Sequence, residues 1–339
     1  MEHDYPWIKG VGSVAELPAS FYQSFSSGVL EMGGLMRHAE PQVFLRETLL
    51  ILRRFIGFDS AWWGQVSPGG PGVGPRNLLH ASMGLSTTFA QEWNGVIAAS
   101  DCFAQDSIAS LGTVLRASGD CEDGESEEML AFVKRHGLHT IMAITFELPG
   151  SGLLFFVCLY RNCPHAAFND VESMLFLEFT QHMLQSWKHR LADWQAAFGA
   201  SSLDGLAVAD AQGQLYYLGR RIGDALARDC DDWQGTTLPR SVTAAFAHLP
   251  CSVTLGGAKL VLAPADSLVA ITLAGAGQRA QLTPRELSAA LLYARGQSYK
   301  EIAREMGLTP STVRTYLRDV YSSLGVSNKI ELAAALAHA

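Results

Sequence analysis

Residues 282–329 read LTPRELSAALLYARGQSYKEIAREMGLTPSTVRTYLRDVYSSLGVSNK, and this segment contains several helix start and stop signals. Thr283 and Ser298 each precede a glutamate by three residues, which is the spacing of a capping box. Thr309 precedes a proline, which favours the first position of a helix. Glycines follow three of the predicted helices, because glycine adopts the left-handed C-cap conformation without steric cost. The pattern predicts an all-α domain of four short helices.

The second and third predicted helices, residues 299–306 and 310–324, are separated by three residues, which is helix-turn-helix spacing. On the third helix, apolar residues recur at spacings of three and four and are predicted to pack inward: Val313, Leu317, Val320 and Leu324. The opposite face carries Ser311, Arg314, Thr315 and Arg318. A solvated surface helix can have such a face, but two arginines beside small hydroxyls also suit the DNA major groove, where arginine binds guanine through two hydrogen bonds.

The surrounding residues favour the DNA-binding interpretation. The segment closely resembles the LuxR-type helix-turn-helix family over about 58 residues. The resemblance rests on Leu282-Thr-Pro-Arg-Glu-Leu287, Gly296, Ser298, Lys300-Glu-Ile-Ala303, Thr312-Val-Arg314, Val320-Tyr321, Leu324-Gly-Val326 and Asn328-Lys329. Tyr316 departs from it, because many family members have histidine there.

The resemblance implies that double-stranded DNA, at a promoter or operator, is a partner of this segment. It implies base reading by Arg314, Thr315 and Arg318, and DNA-backbone contacts by Lys300, Ser311, Thr312 and Tyr316. A homodimer is expected, since helix-turn-helix modules commonly bind paired half-sites, and RNA polymerase is a further expected partner. The charge distribution agrees: the chain carries −8 overall, yet residues 278–339 contain eight basic and five acidic residues.

The first half of the chain predicts an α/β sensor. Residues 41–58 have helical apolar spacing, and the segments 60–66 and 77–83 flank a loop rich in glycine and proline. A helix at 127–135 and strands at 140–148 and 153–160 follow. This order resembles the GAF-like and autoinducer-binding domains that precede LuxR-type modules, with Gly57-Phe-Asp59, Trp93, Asp106 and Gly137-Leu138 as supporting residues. Ser107 and Thr140 depart from the quorum-sensing pattern, so an acyl-homoserine lactone is not the expected ligand.

The sensor's candidate effector-binding residues are aromatic, with one acidic anchor, because small-molecule sites combine apolar walls with a few polar groups. They are Trp62, Trp63, Trp93, Phe103 and Asp106. Ordinary core aromatics would show the same composition. Neighbouring strand residues point to opposite faces, so at most one of Trp62 and Trp63 can face a given cavity.

The chain is therefore expected to be multidomain. We expect an α/β GAF-like sensor at 20–169, a long signalling or dimerisation helix at 170–198, and a small PAS-like α+β domain at 201–273. A linker at 274–281 precedes the LuxR-type domain at 282–339. The long helix carries an apolar stripe that could pack on the sensor or form a dimer interface. The PAS-like expectation rests on two strands joined by Asp-Ala-Gln-Gly and on later strands at 252–262 and 267–273.

Other function classes find less support. We find no nucleophile, metal or nucleotide motif of the common enzyme types, so no catalytic residue, metal or cofactor is expected. No 20-residue apolar segment and no secretory signal are present, so a cytoplasmic protein without a membrane partner is expected. A phosphorylated response regulator would need an acidic pair near its N-terminus, which the first 60 residues do not supply. Gating by a protein partner or by phosphorylation stays the alternative to a small effector.

Overall fold

The computed structural model describes residues 17–69, 74–118, 126–163, 167–230, 233, 235–274, 284–324, 328, 329 and 332. Two five-stranded antiparallel sheets and a C-terminal group of helices make up this part of the chain. The multidomain fold class expected from the sequence is confirmed. None of the helices in these ranges is long and apolar enough to span a membrane.

The first sheet belongs to the domain expected from the sequence to be a sensor, which is called the sensor below. Its strands are β1 (Ser60–Ser67), β2 (Arg76–Met83), β3 (Val114–Ser118), β4 (Thr140–Leu148) and β5 (Leu153–Arg161). They are ordered β2-β1-β5-β4-β3. The strands expected from the sequence are present within one residue at each end. Strand β3 was not expected, because it is short and only partly buried.

Helices cover both faces of the sensor sheet. One face packs against α1 (Ala19–His38), α2 (Pro41–Leu52) and α6 (Asp170–Ala197). The other packs against α3 (Phe89–Glu92), α4 (Cys102–Ala109) and α5 (Glu127–His136), with a π-helical turn at Trp93–Ile97 between α3 and α4. Helix α2 ends at Leu52, six residues before the sequence-based boundary.

Helix α6 is the long helix expected at residues 170–198. Its first turn has a complete capping box, in which Asn169 accepts from the Glu172 N–H and Glu172 accepts from the Asn169 N–H. The apolar stripe lies in the chain's own core, where its buried members are Leu175, Phe179, Met183, Trp187 and Leu191. A dimerisation role for this helix stays a prediction, and it would have to use another face.

The second sheet forms the middle domain. Its strands are β6 (Leu206–Asp210), β7 (Leu215–Leu218), β8 (Cys251–Leu255), β9 (Ala258–Ala265) and β10 (Leu268–Leu273), ordered β7-β6-β10-β9-β8. Helices α7 (Arg220–Asp229) and α8 (Arg240–Thr243) connect β7 to β8. The strand expected at 252–262 is two strands, because Gly256 and Gly257 both take positive φ and form a turn.

The sensor and the middle domain share a buried core. Leu206, Val208 and Tyr217 of the middle domain belong to the same apolar cluster as the inner face of the sensor sheet. The buried Gln65 side chain on β1 donates to the Leu218 carbonyl (2.9 Å) and accepts from the Leu218 N–H (3.0 Å). The face of each sheet that points away from this shared core is called its outward face below.

The C-terminal helices are α9 (Pro284–Ala294), α10 (Tyr299–Met306) and α11 (Pro310–Leu324). The bounds of α10 and α11 match those expected from the sequence. Their buried core consists of Ala289, Ala290, Ile302, Ala303, Val313, Leu317, Val320 and Leu332. Thr283, most of the expected fourth helix and the linker after Ala274 lie outside the described residues.

Candidate effector cavity and nucleic-acid interface

A cavity of about 200 Å³ lies on the outward face of the sensor sheet, beneath α3, α4 and α5. Trp62 on β1 is the centre of its aromatic wall. The Trp62 ring centroid lies 4.8 Å from that of Phe156, 5.1 Å from that of Phe89 and 5.3 Å from that of Trp93. These edge-to-face contacts fix the ring positions and leave an apolar chamber.

Asp101 is the acidic group of this cavity. Its carboxylate caps α4 by accepting from the Ala104 N–H (2.8 Å) and also accepts from Trp93 Nε1 (2.8 Å). Burial raises the pKa of the Asp101 carboxyl, and the Trp93 hydrogen bond opposes that shift. Asp101 therefore joins the π-helical turn to α4 and fixes one edge of the aromatic wall.

The cavity also contains a thiol and a phenol that are both neutral near pH 7. Burial raises the pKa of the Cys158 thiol to about 12, and it raises the pKa of the Tyr160 hydroxyl well above its usual value. A protonated thiol is a weak nucleophile and a weak metal ligand. Ser107 and Thr145 pair their hydroxyls at 2.7 Å and are both buried. The lining offers hydrogen bonds and little charge.

Two side chains at the cavity have buried polar atoms without a hydrogen-bond partner: the Trp62 indole Nε1, and the Oδ1 and Nδ2 atoms of the Asn77 amide. Asn77 is 2% exposed, and its backbone is held by Asn94, which donates to its carbonyl and accepts from its N–H at 2.9 Å each. Leaving a buried polar group unpaired costs about 1–3 kcal/mol. A bound molecule with matching polar atoms would remove this cost.

The structure brings Trp62, Trp93 and Phe103 to the cavity wall. It places the other two expected effector residues elsewhere. Trp63 points to the inner face and packs in the shared core, because strand residues alternate. Asp106 is exposed on α4. Whether a ligand touches the three lining residues stays a prediction.

The sequence analysis missed Asn77 and Asp101. Asn77 pairs with Val66 across the β1–β2 hairpin, so it shares a face with Trp62. Strand alternation could have identified it, had the register been known. Asp101 has the ordinary signal of a helix N-cap. Among the described residues, no group of three or more His, Cys, Asp or Glu side chains could hold a metal ion.

The candidate nucleic-acid interface is formed by α10, the turn after it and α11. Ser298 and Glu301 form the expected capping box of α10, and Gly307 ends that helix with a φ of 65°. The buried face of α11 carries Val313, Leu317 and Val320. Arg314, Thr315 and Arg318 are exposed on it, as the periodicity predicts. The Thr315 hydroxyl donates to the Ser311 carbonyl (3.2 Å).

The candidate backbone-contacting residues lie around the same helices. Lys300 and Ser311 are exposed, whereas Thr312 and Tyr316 are partly buried. Thr309 Oγ1 lies 2.8 Å from Ser311 Oγ and 2.9 Å from Thr312 Oγ1, and it accepts from the Thr312 N–H. These hydroxyls form a cluster at the start of α11. Their DNA contacts stay predictions.

Residues 280–336 match the family model described as bacterial regulatory proteins, luxR family. This segment is a LuxR-type helix-turn-helix domain. The chain is also similar to the transcriptional regulatory protein UhpA of Salmonella typhimurium, with 46% identity over 65 residues. That match covers 19% of this chain and 33% of UhpA, and UhpA of Escherichia coli matches equally well. The chain thus spans about a third of the length of these relatives.

Solved structures of SdiA cover more of the chain than the LuxR-type domain alone. Escherichia coli SdiA aligns with 92% of this chain and 97% of its own, at 14% identity and a TM-score of 0.40. SdiA in complex with octanoyl-rac-glycerol aligns with 94% of this chain and 96% of its own, at 13% identity and a TM-score of 0.41.

Proposed function

We propose that this chain is a sequence-specific DNA-binding transcription regulator, acting as a homodimer, whose sensor binds a small and largely apolar effector. The exposed Arg314, Thr315 and Arg318 face of α11, within a LuxR-type domain, carries the DNA-binding part of this proposal. RNA polymerase is the further partner that such a regulator would contact. No catalytic step is part of the proposal.

The cavity supports the effector part. Its lining is aromatic and nearly free of charge, and it holds unpaired polar atoms on Trp62 and Asn77. Dry cavities of about 150 Å³ bind benzene, so a cavity of about 200 Å³ suits a neutral ligand of roughly ten non-hydrogen atoms. The ligand would place a hydrogen-bond acceptor at Trp62 Nε1 and an amide, hydroxyl or carbonyl at Asn77.

The fold also supplies a route from the cavity to the rest of the chain. Trp62, which faces the cavity, and Gln65, which bonds the middle domain at Leu218, lie on the same strand, β1. A ligand that binds one arrangement of β1 better than another shifts the population toward that arrangement. This shift would reach the middle domain through the Gln65 contact.

The DNA-binding part is tested by selecting duplexes from a randomised pool with the purified full chain, then measuring dissociation constants by fluorescence anisotropy. We expect Arg314→Ala to weaken binding to the selected duplex by about 1–3 kcal/mol and to leave binding to a scrambled duplex nearly unchanged. Lys300→Ala should weaken both equally, because a phosphate contact carries no sequence information. Arg228→Ala, an exposed arginine on α7, is the control.

Equal losses for Arg314→Ala on both duplexes would refute base reading by this residue. A pool from which the wild-type chain enriches no sequence would refute sequence-specific binding altogether.

The effector part is tested by native mass spectrometry of the purified chain, followed by thermal-shift titration with indole and with 1-octanoyl-rac-glycerol. We expect mass spectrometry to show a dimer. We also expect either a bound small molecule or thermal stabilisation by indole, with a weaker response to 1-octanoyl-rac-glycerol. Ala104→Trp, which fills the cavity from α4, should abolish the response. Ala109→Trp, on the exposed side of α4, should keep it.

An empty chain that neither probe stabilises would favour gating by a protein partner or by phosphorylation. A response that survives Ala104→Trp would place the binding site outside this cavity.

A further inference from the structure

Two tyrosines stack against each other at the edge of the LuxR-type domain. Tyr293 lies on α9 and Tyr299 is the first residue of α10. Their ring centroids are 5.3 Å apart with an interplanar angle of 14°, and their hydroxyl oxygens are 3.3 Å apart. The pKa of Tyr293 is raised to about 12, mainly by the hydrogen bond to Tyr299 and to a smaller extent by burial. The pair is thus a stacked, hydrogen-bonded platform.

A cation lies over each ring of this platform. The Arg314 guanidinium carbon is 5.5 Å from the Tyr299 centroid, and Lys329 Nζ is 4.6 Å from the Tyr293 centroid. Both distances are within the range of cation–π attraction. The two tyrosines and their two cations come from α9, α10, α11 and the segment after α11, so these contacts connect all four.

The position of Tyr299 makes it a stable support for Arg314. The Ser298–Glu301 capping box fixes the start of α10, and Tyr299 lies directly after the cap. Arg314 itself is exposed, and within the described ranges it forms no ion pair with a carboxylate. The Tyr299 ring gives this long, flexible side chain a cation–π contact that restrains it.

We propose that Tyr299 is a positioning residue for DNA recognition, which holds the Arg314 guanidinium where it can meet a base edge. This inference rests on the proposed DNA-binding function. Bidentate contact with guanine requires an oriented guanidinium, and restraining the side chain beforehand reduces the entropy lost on binding. Tyr299 would act through Arg314, without touching the DNA itself.

The test is a double-mutant cycle in the full chain, using the duplex selected from the randomised pool and a scrambled duplex. We expect Tyr299→Leu to weaken binding to the selected duplex about two- to five-fold, the range of an exposed cation–π contact. Binding to the scrambled duplex and the salt dependence should not change, because no phosphate contact is lost. Tyr299→Phe keeps the ring and should bind like the wild type.

In the Arg314→Ala background, Tyr299→Leu should cause no further loss, since its effect passes through Arg314. Tyr299→Gln is made alongside, so that a ringless variant is available if the leucine variant does not fold.

Three outcomes would overturn the proposal. An equal loss in the Arg314→Ala background would assign Tyr299 a merely structural role. An equal loss of affinity for both duplexes would make Tyr299 a contact to the DNA backbone. Wild-type affinity in the ringless variants would show that Tyr299 has no role in DNA binding. These results differ from failure of the proposed function, in which the wild-type chain itself would enrich no duplex.

Discussion

The sensor sheet and the middle sheet have the same strand order, yet their outward faces differ in side-chain size. The sensor face presents Trp62, Phe156 and Tyr160, and a cavity separates part of it from the covering helices. The middle face presents Ala207 and Ala209, which belong to one buried apolar cluster with Ile222 and Leu226 of α7. Large aromatics hold a covering layer away from a sheet, whereas alanines allow a helix to pack directly on it.

The connections add to this difference. In the sensor, β3 and β4 are joined through α5, which supplies Phe132 and Val133 to the cavity wall. In the middle domain, the corresponding strands β8 and β9 are joined by the Gly256–Gly257 turn. One strand order therefore supports a cavity in one domain and a buried apolar core in the other.

The largest expected effect comes from placing the same large side chain on both outward faces. Ala209→Phe should destabilise the chain by about 3 kcal/mol, because Ala209 is buried in an apolar cluster that the added ring would overpack. Ala143→Phe on β4, which lines the cavity, should cost less than about 1 kcal/mol, because its ring enters open volume. Urea denaturation followed by tryptophan fluorescence measures both. Equal losses would mean that the two faces are packed alike.

A smaller effect tests the edge where the sensor sheet meets the middle domain. His80 on β2 lies beside the Trp62 ring and beside a cleft that Leu215 and Tyr216 of β7 also line. Burial lowers the pKa of His80 to about 4 from 6.5. The unfolded chain therefore takes up the proton first as pH falls, so stability decreases between about pH 6.5 and pH 4.

Between pH 7 and pH 5, the wild type should lose about 1–2 kcal/mol more of its free energy of unfolding than His80→Gln does. The exposed His182→Gln serves as the control and should keep the wild-type dependence. If His80→Gln also kept the wild-type pH dependence, burial of His80 would not be the cause of the stability loss at low pH.

The smallest effect compares two glycines in the covering helices. A Cβ on Gly223 of α7 would lie 3.2 Å from Leu218 and 3.3 Å from Leu78, so Gly223→Ala should cost up to about 1 kcal/mol. A Cβ on Gly95, in the π-helical turn over the cavity, would meet nothing within 4 Å. Gly95→Ala should therefore gain about 0.5 kcal/mol from helix propensity. Thermal midpoints that move in the same direction would contradict the comparison.

Much of the secondary structure could be predicted from the sequence, because its signals are local. The caps at Ser298 and Gly307 identified α10, and helical spacing identified α6. The predictions were wrong where short-range patterns compete. Apolar residues recur on both sides of Gly256 and Gly257 in the 252–262 segment, so its two-glycine turn was not recognised. Helix α2 ends earlier than its apolar spacing suggested.

The two candidate sites also differ in how far the sequence predicts them. Arg314, Thr315 and Arg318 are exposed where the periodicity of α11 predicts them, since a helix fixes its own faces. The cavity lining depends on strand pairing and on loops, which bring Asn77 and Asp101 to Trp62 and leave Asp106 in solvent. Sequence composition identified aromatic residues and could not decide which of them share one wall.

The sequence by itself determined the LuxR-type domain, the helices α6, α10 and α11 and the face of α11 that meets solvent. Each follows from residues within a few positions of one another. The tertiary structure decided the cavity, its unpaired polar atoms, the shared core of two domains and the placement of Arg314 over Tyr299. These depend on contacts between residues distant in sequence, whose positions are fixed only when the sheets pair and the helices pack.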